Sequence, residues 1–214
     1  MGKTAAYIGI AGALGMAACD MILLAQPVAG WNYGLSSFEA MALTPPLRVF
    51  IGSTFGLVCA FFICFGFWYL KELFEGVERQ SALWLFVALC SVEFFGGAFH
   101  AGYYFISAAV TTNTGSGAPL AMAIVQEYTH HLEIISYLGV PGFLAGAILF
   151  FKLALDKRFP KWFKFANPLI SCGVFMAVFS ALPAPFGGYL KPTFINMGLA
   201  AMLALSVRFW PKAA

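Results

Sequence analysis

The chain alternates long apolar runs with short polar interruptions. Six runs read as membrane spans: about 4–28, 47–70, 81–110, a fourth that starts between 119 and 132 and ends near 155, then 165–181 and 193–209. Roughly 20 residues of helix cross the hydrocarbon of a bilayer, and these runs reach or approach that length. They are continuous rather than alternating, which selects helices over a closed barrel. The expected fold is therefore all-α: one integral membrane domain over residues 1–214, built as a polytopic six-transmembrane-helix bundle. Within it, Pro141-Gly142 is expected to kink the fourth span, and Asn167-Pro168 to open the fifth.

The interruptions are of two kinds, and they alternate. Segments 71–80 and 156–164 are short and charged, whereas 29–46, 111–118 and 182–192 are longer and weakly charged. Of the 12 lysines and arginines, Lys3, Lys71, Arg79, Lys152, Lys157, Arg158, Lys161, Lys164, Arg208 and Lys212 fall on one side, and only Arg48 and Lys191 on the other. The positive-inside rule then places both the N and C termini in the cytoplasm of a cell-membrane protein, with the weakly charged segments outside. Among those segments, 36–43 reads as a short interfacial helix stopped by Pro45-Pro46, 111–117 as a flexible loop, and 182–189 as a cap. Trp31, Tyr33, Trp68, Tyr69, Trp84, Trp162 and Trp210 fall where anchoring aromatic belts are expected.

Composition sharpens this picture. The chain is 61% hydrophobic and 10% charged, where a soluble domain carries roughly 25% charge. The net charge of +3 sits in the interruptions, so it sets topology and offers no surface for nucleic acid. The five cysteines lie in apolar runs without a CxxC pair and read as small buried hydrophobes. Met16-Ala17-Ala18-Cys19 has the look of a lipoprotein cleavage box, but the apolar run continues past it through Met21-Ile22-Leu23-Leu24, so a retained first helix is expected.

Candidate chemistry lies in the ionisable residues of the apolar runs. Asp20, Glu93, His100, Glu127, His130, His131 and Glu133 all fall away from the basic side. Charges are costly in hydrocarbon and rarely stand there without a partner or a task. Glu93 and His100 are seven residues apart, on one helical face with Gly96 and Gly97, and Tyr103 and Tyr104 extend it. That stripe is either a cavity wall or a close helix contact. Glu127, His130, His131 and Glu133 follow helical spacing toward Tyr137 and, with His100, form a candidate ligand set for a transition metal: zinc, iron or copper. Glu-x-x-His elements occur twice in di-iron bundles and once here. Haem ligation is less favoured, since it needs two histidines face to face. Asp20 needs a partner, for which Arg48, His100 and a bound cation are the candidates; Thr193 and Asn196 are expected at similar depth.

Three functional readings stand open on these residues. The first is an intramembrane enzyme acting on a lipid or small amphiphile. In it His100, Glu93 and Asp20 are catalytic, a metal activates water, and Tyr104, Tyr137, Asn196 and Arg48 contact the substrate. The second is a small-molecule binding or transport subunit. Six spans with both termini inside and an outward pocket resemble the membrane-embedded substrate-binding subunits of energy-coupling-factor vitamin importers. That resemblance implies a small-residue face on the first helix, here with Ala13 and Ala17, against a transport partner, and a lid in the first outer loop. The third is an accessory subunit, redox or structural, working beside partner membrane subunits or further copies of itself. The sequence contains no phosphate-binding loop, dinucleotide fingerprint, GxSxG, HExxH, voltage-sensor arginine ladder or potassium-channel filter.

Overall fold

The computed structural model describes residues 2–24, 44–112, 118–183 and 186–209, with the side chains of 106–112, 118–122 and 124 left aside. The interfacial helix expected at 36–43, most of the loop at 111–117, two residues of the cap at 182–189, and Trp31, Tyr33 and Trp210 lie outside the described residues.

The described residues are helical almost throughout. The helices are α1 (Gly2–Leu24), α2 (Pro46–Glu75), α3 (Arg79–Thr112), α4 (Ala118–Tyr137), α5 (Gly139–Ala154), α6 (Pro168–Ala181), α7 (Phe186–Leu190) and α8 (Phe194–Val207), with 3-10 turns at Phe163–Ala166 and Lys191–Thr193. Five segments are long and apolar enough to cross a membrane: Gly2–Leu24, Pro46–Glu75, Arg79–Phe105, Val125–Ala154 and Phe186–Val207; Pro168–Ala181 is apolar but shorter. Large apolar side chains such as Phe55, Phe61, Phe94, Ile148 and Val174 are exposed on the outer surface. A helical bundle with an apolar exterior of this kind is a multi-pass membrane protein by length and composition.

Local sequence explains the element ends. Asn167 caps α6, its Oδ1 accepting from the Leu169 amide at 2.9 Å, with Pro168 in the first turn. The Asn167 Nδ2 donates to the Ala147 carbonyl at 2.6 Å and ties α6 to α5. The kink expected at Pro141 is a break one turn earlier: α4 ends at Tyr137 and α5 begins at Gly139. Proline has no amide to donate to the carbonyl four residues back, which is that of Tyr137. Tyr137, Leu138 and Pro141 at this break are exposed, and Gly139 packs against Val92 of α3.

Around the bundle the neighbours run α6, α8, α1, α2, α3, α5, and α5 returns to α6; α4 packs chiefly on α3. The tightest contact is α1 on α2. A Cβ on Gly9 would land on the backbone of Gly66, and one on Gly12 would come within 2.8 Å of the Ile63 amide. Small residues permit such backbone contact between membrane helices, where lipid supplies little hydrophobic drive for association.

The core is uneven along its length. A large buried cluster runs from the middle toward the basic end, where Phe74, Phe150, Phe159, Phe163 and Phe209 form one aromatic knot. Its ring centroids lie 4.6 Å apart for Phe163 and Phe209 and 5.3 Å for Phe74 and Phe150. Tyr69, fully buried, donates to the Ser206 carbonyl at 2.6 Å and binds α2 to α8 at the same end. There too, Lys152 reaches Glu78 at 2.7 Å and the Ser81 hydroxyl at 3.1 Å. The bond from Lys152 holds the Glu78 carboxyl below its ordinary range. Among the described residues the opposite end has a smaller cluster, of Leu23, Val49, Tyr103, Val125 and Leu132.

Candidate functional site

Three helices bring one polar residue each to the same place inside the bundle. Asp20 lies a turn before the end of α1, His100 two-thirds of the way along α3, and Asn196 in the first turn of α8. His100 Nε2 is 3.1 Å from Asp20 Oδ1, and Asn196 Nδ2 donates to Asp20 Oδ2 at 2.7 Å. All three residues are buried, at 5%, 8% and 9% exposure. Both oxygens of the aspartate are thus engaged by donors, which is what a carboxylate needs at membrane depth.

The pair crosses a gap between helices that do not pack on each other. α1 and α3 each lie against α2, and α2 stands between them. The imidazole passes α2 at Gly56, where an added Cβ would come within 2.7 Å of His100 Nδ1. Any side chain at that position would displace the ring. Nδ1 is sealed from solvent and is the one buried side-chain nitrogen or oxygen without a partner among the described residues. The ring edge also meets buried Tyr103 at a centroid distance of 6.0 Å, and Tyr103 stacks edge-on with Phe99.

Glu93 sits two turns further toward the basic end on the same face of α3, about 10 Å below His100. It is 6% exposed. Of the two glycines between them, Gly97 is packed, with Leu57 and Ala60 within 3.7 Å of where its Cβ would stand. Gly96 has no heavy atom within 4 Å of that point. The stripe read from sequence is therefore half helix contact and half open space.

The other sequence candidates fall elsewhere. Arg48 donates from Nε to the Ile22 carbonyl at 3.0 Å and from Nη2 to that of Met21 at 3.4 Å, so it closes the open carbonyls at the end of α1. Asp20 is met by His100 and Asn196. On α4, Glu127, His130 and His131 are exposed and Glu133 is half-buried. His131 Nδ1 bonds the Glu127 backbone carbonyl at 2.8 Å and stands 3.5 Å from its carboxylate. His100 is not brought to His130 and His131, and among the described residues no three metal-ligating side chains converge. Tyr104 and Tyr137 are exposed, Tyr104 resting edge-on against Phe50. Thr193 is buried, its hydroxyl bonded to the Leu190 carbonyl. Ala13 and Ala17, expected on a partner-binding face, are buried inside the bundle.

Tyr103, expected to extend the stripe, lies beside His100, three residues past it on the same face. Gly56 belongs to the site and was not singled out from sequence; it carries no local signal, since its role exists only opposite His100. Two apolar surface grooves, of about 270 Å³ beside Ile8 and Phe65 and about 450 Å³ beside Trp84 and Ile148, touch none of these residues.

A family of unknown function, DUF6796, matches residues 1–213. The chain belongs to that family. No curated protein and no solved structure matches it. Membership covers the whole bundle, and so the helices that carry Asp20, Gly56, Glu93, His100 and Asn196, but it supplies no activity from which to reason.

Proposed function

We propose that this chain binds and moves a small solute across the membrane, with protonation of the Asp20–His100 pair governing the bound state. The observation that carries this reading is the pair itself, bridging two helices that are not packed on each other. With a proton on the imidazole and none on the aspartate, α1 and α3 are drawn together by opposite charges at low dielectric. Without that proton the attraction falls to a hydrogen bond. Proton binding is thereby coupled to helix position, and intramembrane acids and histidines are the usual elements of such coupling. The metal-dependent enzyme has less support. No trio of ligands converges among the described residues, and the His100 nitrogen not bonded to Asp20 is closed off at Gly56.

The basic end is taken as cytoplasmic on the positive-inside rule, which sets the site toward the outer half of a cell-membrane protein. An impermeant thiol reagent applied to intact cells should label a cysteine introduced at Ser116 and miss one at Lys161. The reverse pattern would invert the orientation.

Purified protein reconstituted in vesicles that hold a pH dye, with pools of small solutes added outside, tests the function. Wild type should give a solute-driven proton flux. Asp20→Asn and His100→Gln keep the size and a hydrogen bond but remove the ionisable group, and should lower it by at least about tenfold. No proton flux in any pool, with release of acyl chains from added lipid esters instead, would replace transport with the enzyme reading.

A further inference from the structure

We infer that Glu93 is the seat of an organic monocation, a protonated or quaternary amine, which trades places there with a proton. The inference rests on the transport reading above and names its class of substrate. Glu93 stands near the middle of the span Arg79–Phe105 and is buried, at 6% exposure. It has no hydrogen bond and no ion pair with any described residue, whereas Asp20, the other buried acid, has two partners. A bare charge at that depth has to be neutralised, by a proton or by an arriving cation.

Among the described residues no cation pairs with Glu93. The ionisable groups near it there are Cys64 of α2, Asp20 of α1, Cys90 of its own helix and Cys172 of α6. All four are acids or thiols. His100, two turns along α3, is held by Asp20, and Lys152 of α5 is engaged at the basic end. The group is nevertheless not fully sealed, at 6% exposure. One turn away, on the same face, half-exposed Gly96 has no described heavy atom within 4 Å of where its Cβ would stand. A carboxyl that is buried, unpartnered and not fully enclosed is a binding group awaiting its counterpart.

The chemistry of the walls selects the counterpart. An anion would be repelled. A hard metal cation takes about six or more oxygen ligands, and here one carboxylate stands among thiols and hydrocarbon, with no converging ligand trio among the described residues. A monovalent ammonium whose apolar substituents meet the apolar walls satisfies both parts. The exchange balances: the cation binds as the carboxyl releases its proton, and returns as the proton rebinds, with no net change of charge on the protein.

The test is equilibrium binding of tetramethylammonium, benzyltrimethylammonium and tetraphenylphosphonium to the full-length protein in detergent, by titration calorimetry, with a pH dye in weak buffer to count protons. Tetraphenylborate, the same shape as tetraphenylphosphonium with the opposite charge, is the control. At least one of the three cations should bind, release about one proton, and weaken about tenfold per unit as pH falls below the carboxyl titration. Glu93→Gln should weaken binding by about a hundredfold, while Glu93→Asp, which keeps the charge, retains most of it. If Glu93→Gln is not monodisperse, Glu93→Asp and the wild-type proton count carry the test. Binding of tetraphenylborate equal to that of tetraphenylphosphonium, cation binding without proton release, or binding unchanged in Glu93→Gln would overturn the inference. So would the failure of all three cations to bind. Solute-driven proton fluxes that persist in any of those cases would leave the transport reading standing. Glu93-dependent cation binding with no solute-driven proton flux in any pool would do the opposite.

Discussion

Replacing His100 by leucine is expected to destabilise the folded bundle by about 3–5 kcal/mol, the usual cost of removing one member of a buried pair and leaving the other charge behind. Among the described residues Asp20 would retain the amide of Asn196, at 2.7 Å, as its one partner. Neighbouring helices could not readily supply another donor, since Arg48 is fastened to the carbonyls of α1. The loss should be visible as a lowered midpoint in denaturing-detergent titration of the reconstituted protein. Its origin can be checked by adding Asp20→Leu: with both polar partners gone the orphan charge is gone too, and much of the stability should return. Asn196→Leu removes one bond to a charged acceptor and should cost less, about 1.5–3 kcal/mol. A His100→Leu protein within about 0.5 kcal/mol of wild type, inside the range of an ordinary surface change, would mean that the pair holds nothing together.

The second large effect is expected at Gly9. Alanine there puts a methyl group onto the backbone of Gly66, and a helix backbone cannot step aside as a side chain can. α1 and α2 would have to separate along the most extensive helix contact in the bundle. The expected cost is at the upper end of the overpacking range, about 3 kcal/mol. Two control positions set the scale. At Gly15 the methyl would meet the Cys59 sulfur at 2.8 Å, the end of a side chain that can rotate away, so the loss should stay below about 1 kcal/mol. At Gly96 nothing lies within 4 Å, and alanine, better than glycine in a helix by roughly 1 kcal/mol, should be neutral or stabilising. Thermal unfolding of the three variants in one detergent orders them. An equal loss at Gly9 and Gly96 would mean that the α1–α2 contact is looser than described.

The helices were legible because apolar run length is a property of the chain itself. The reading placed the second span at 47–70 and the third at 81–110; the helices are Pro46–Glu75 and Arg79–Thr112. The site was legible in part. Glu93 and His100 share a face because seven residues make two turns, and that holds whatever the helix packs against. Which side of a helix turns inward is decided by its neighbours, and periodicity is silent on it. Hence Tyr103, not Tyr104, lies beside His100, and the histidines of α4 face outward because that helix packs chiefly on α3, at the rim. Asp20 was left with Arg48 and His100 as partners because both lie at plausible depth. The choice followed from the end of α1, whose open carbonyls claimed the guanidinium.

The aromatic knot of Phe74, Phe150, Phe159, Phe163 and Phe209 works as a clasp at one end of the bundle. It grips α2, α5 and the chain after α8 there. α1 and α3, which carry Asp20 and His100, give no ring to the clasp and are fastened instead along α2. The clasp and the polar pair are thus separate fastenings, and loss of the pair should leave the ring contacts in place.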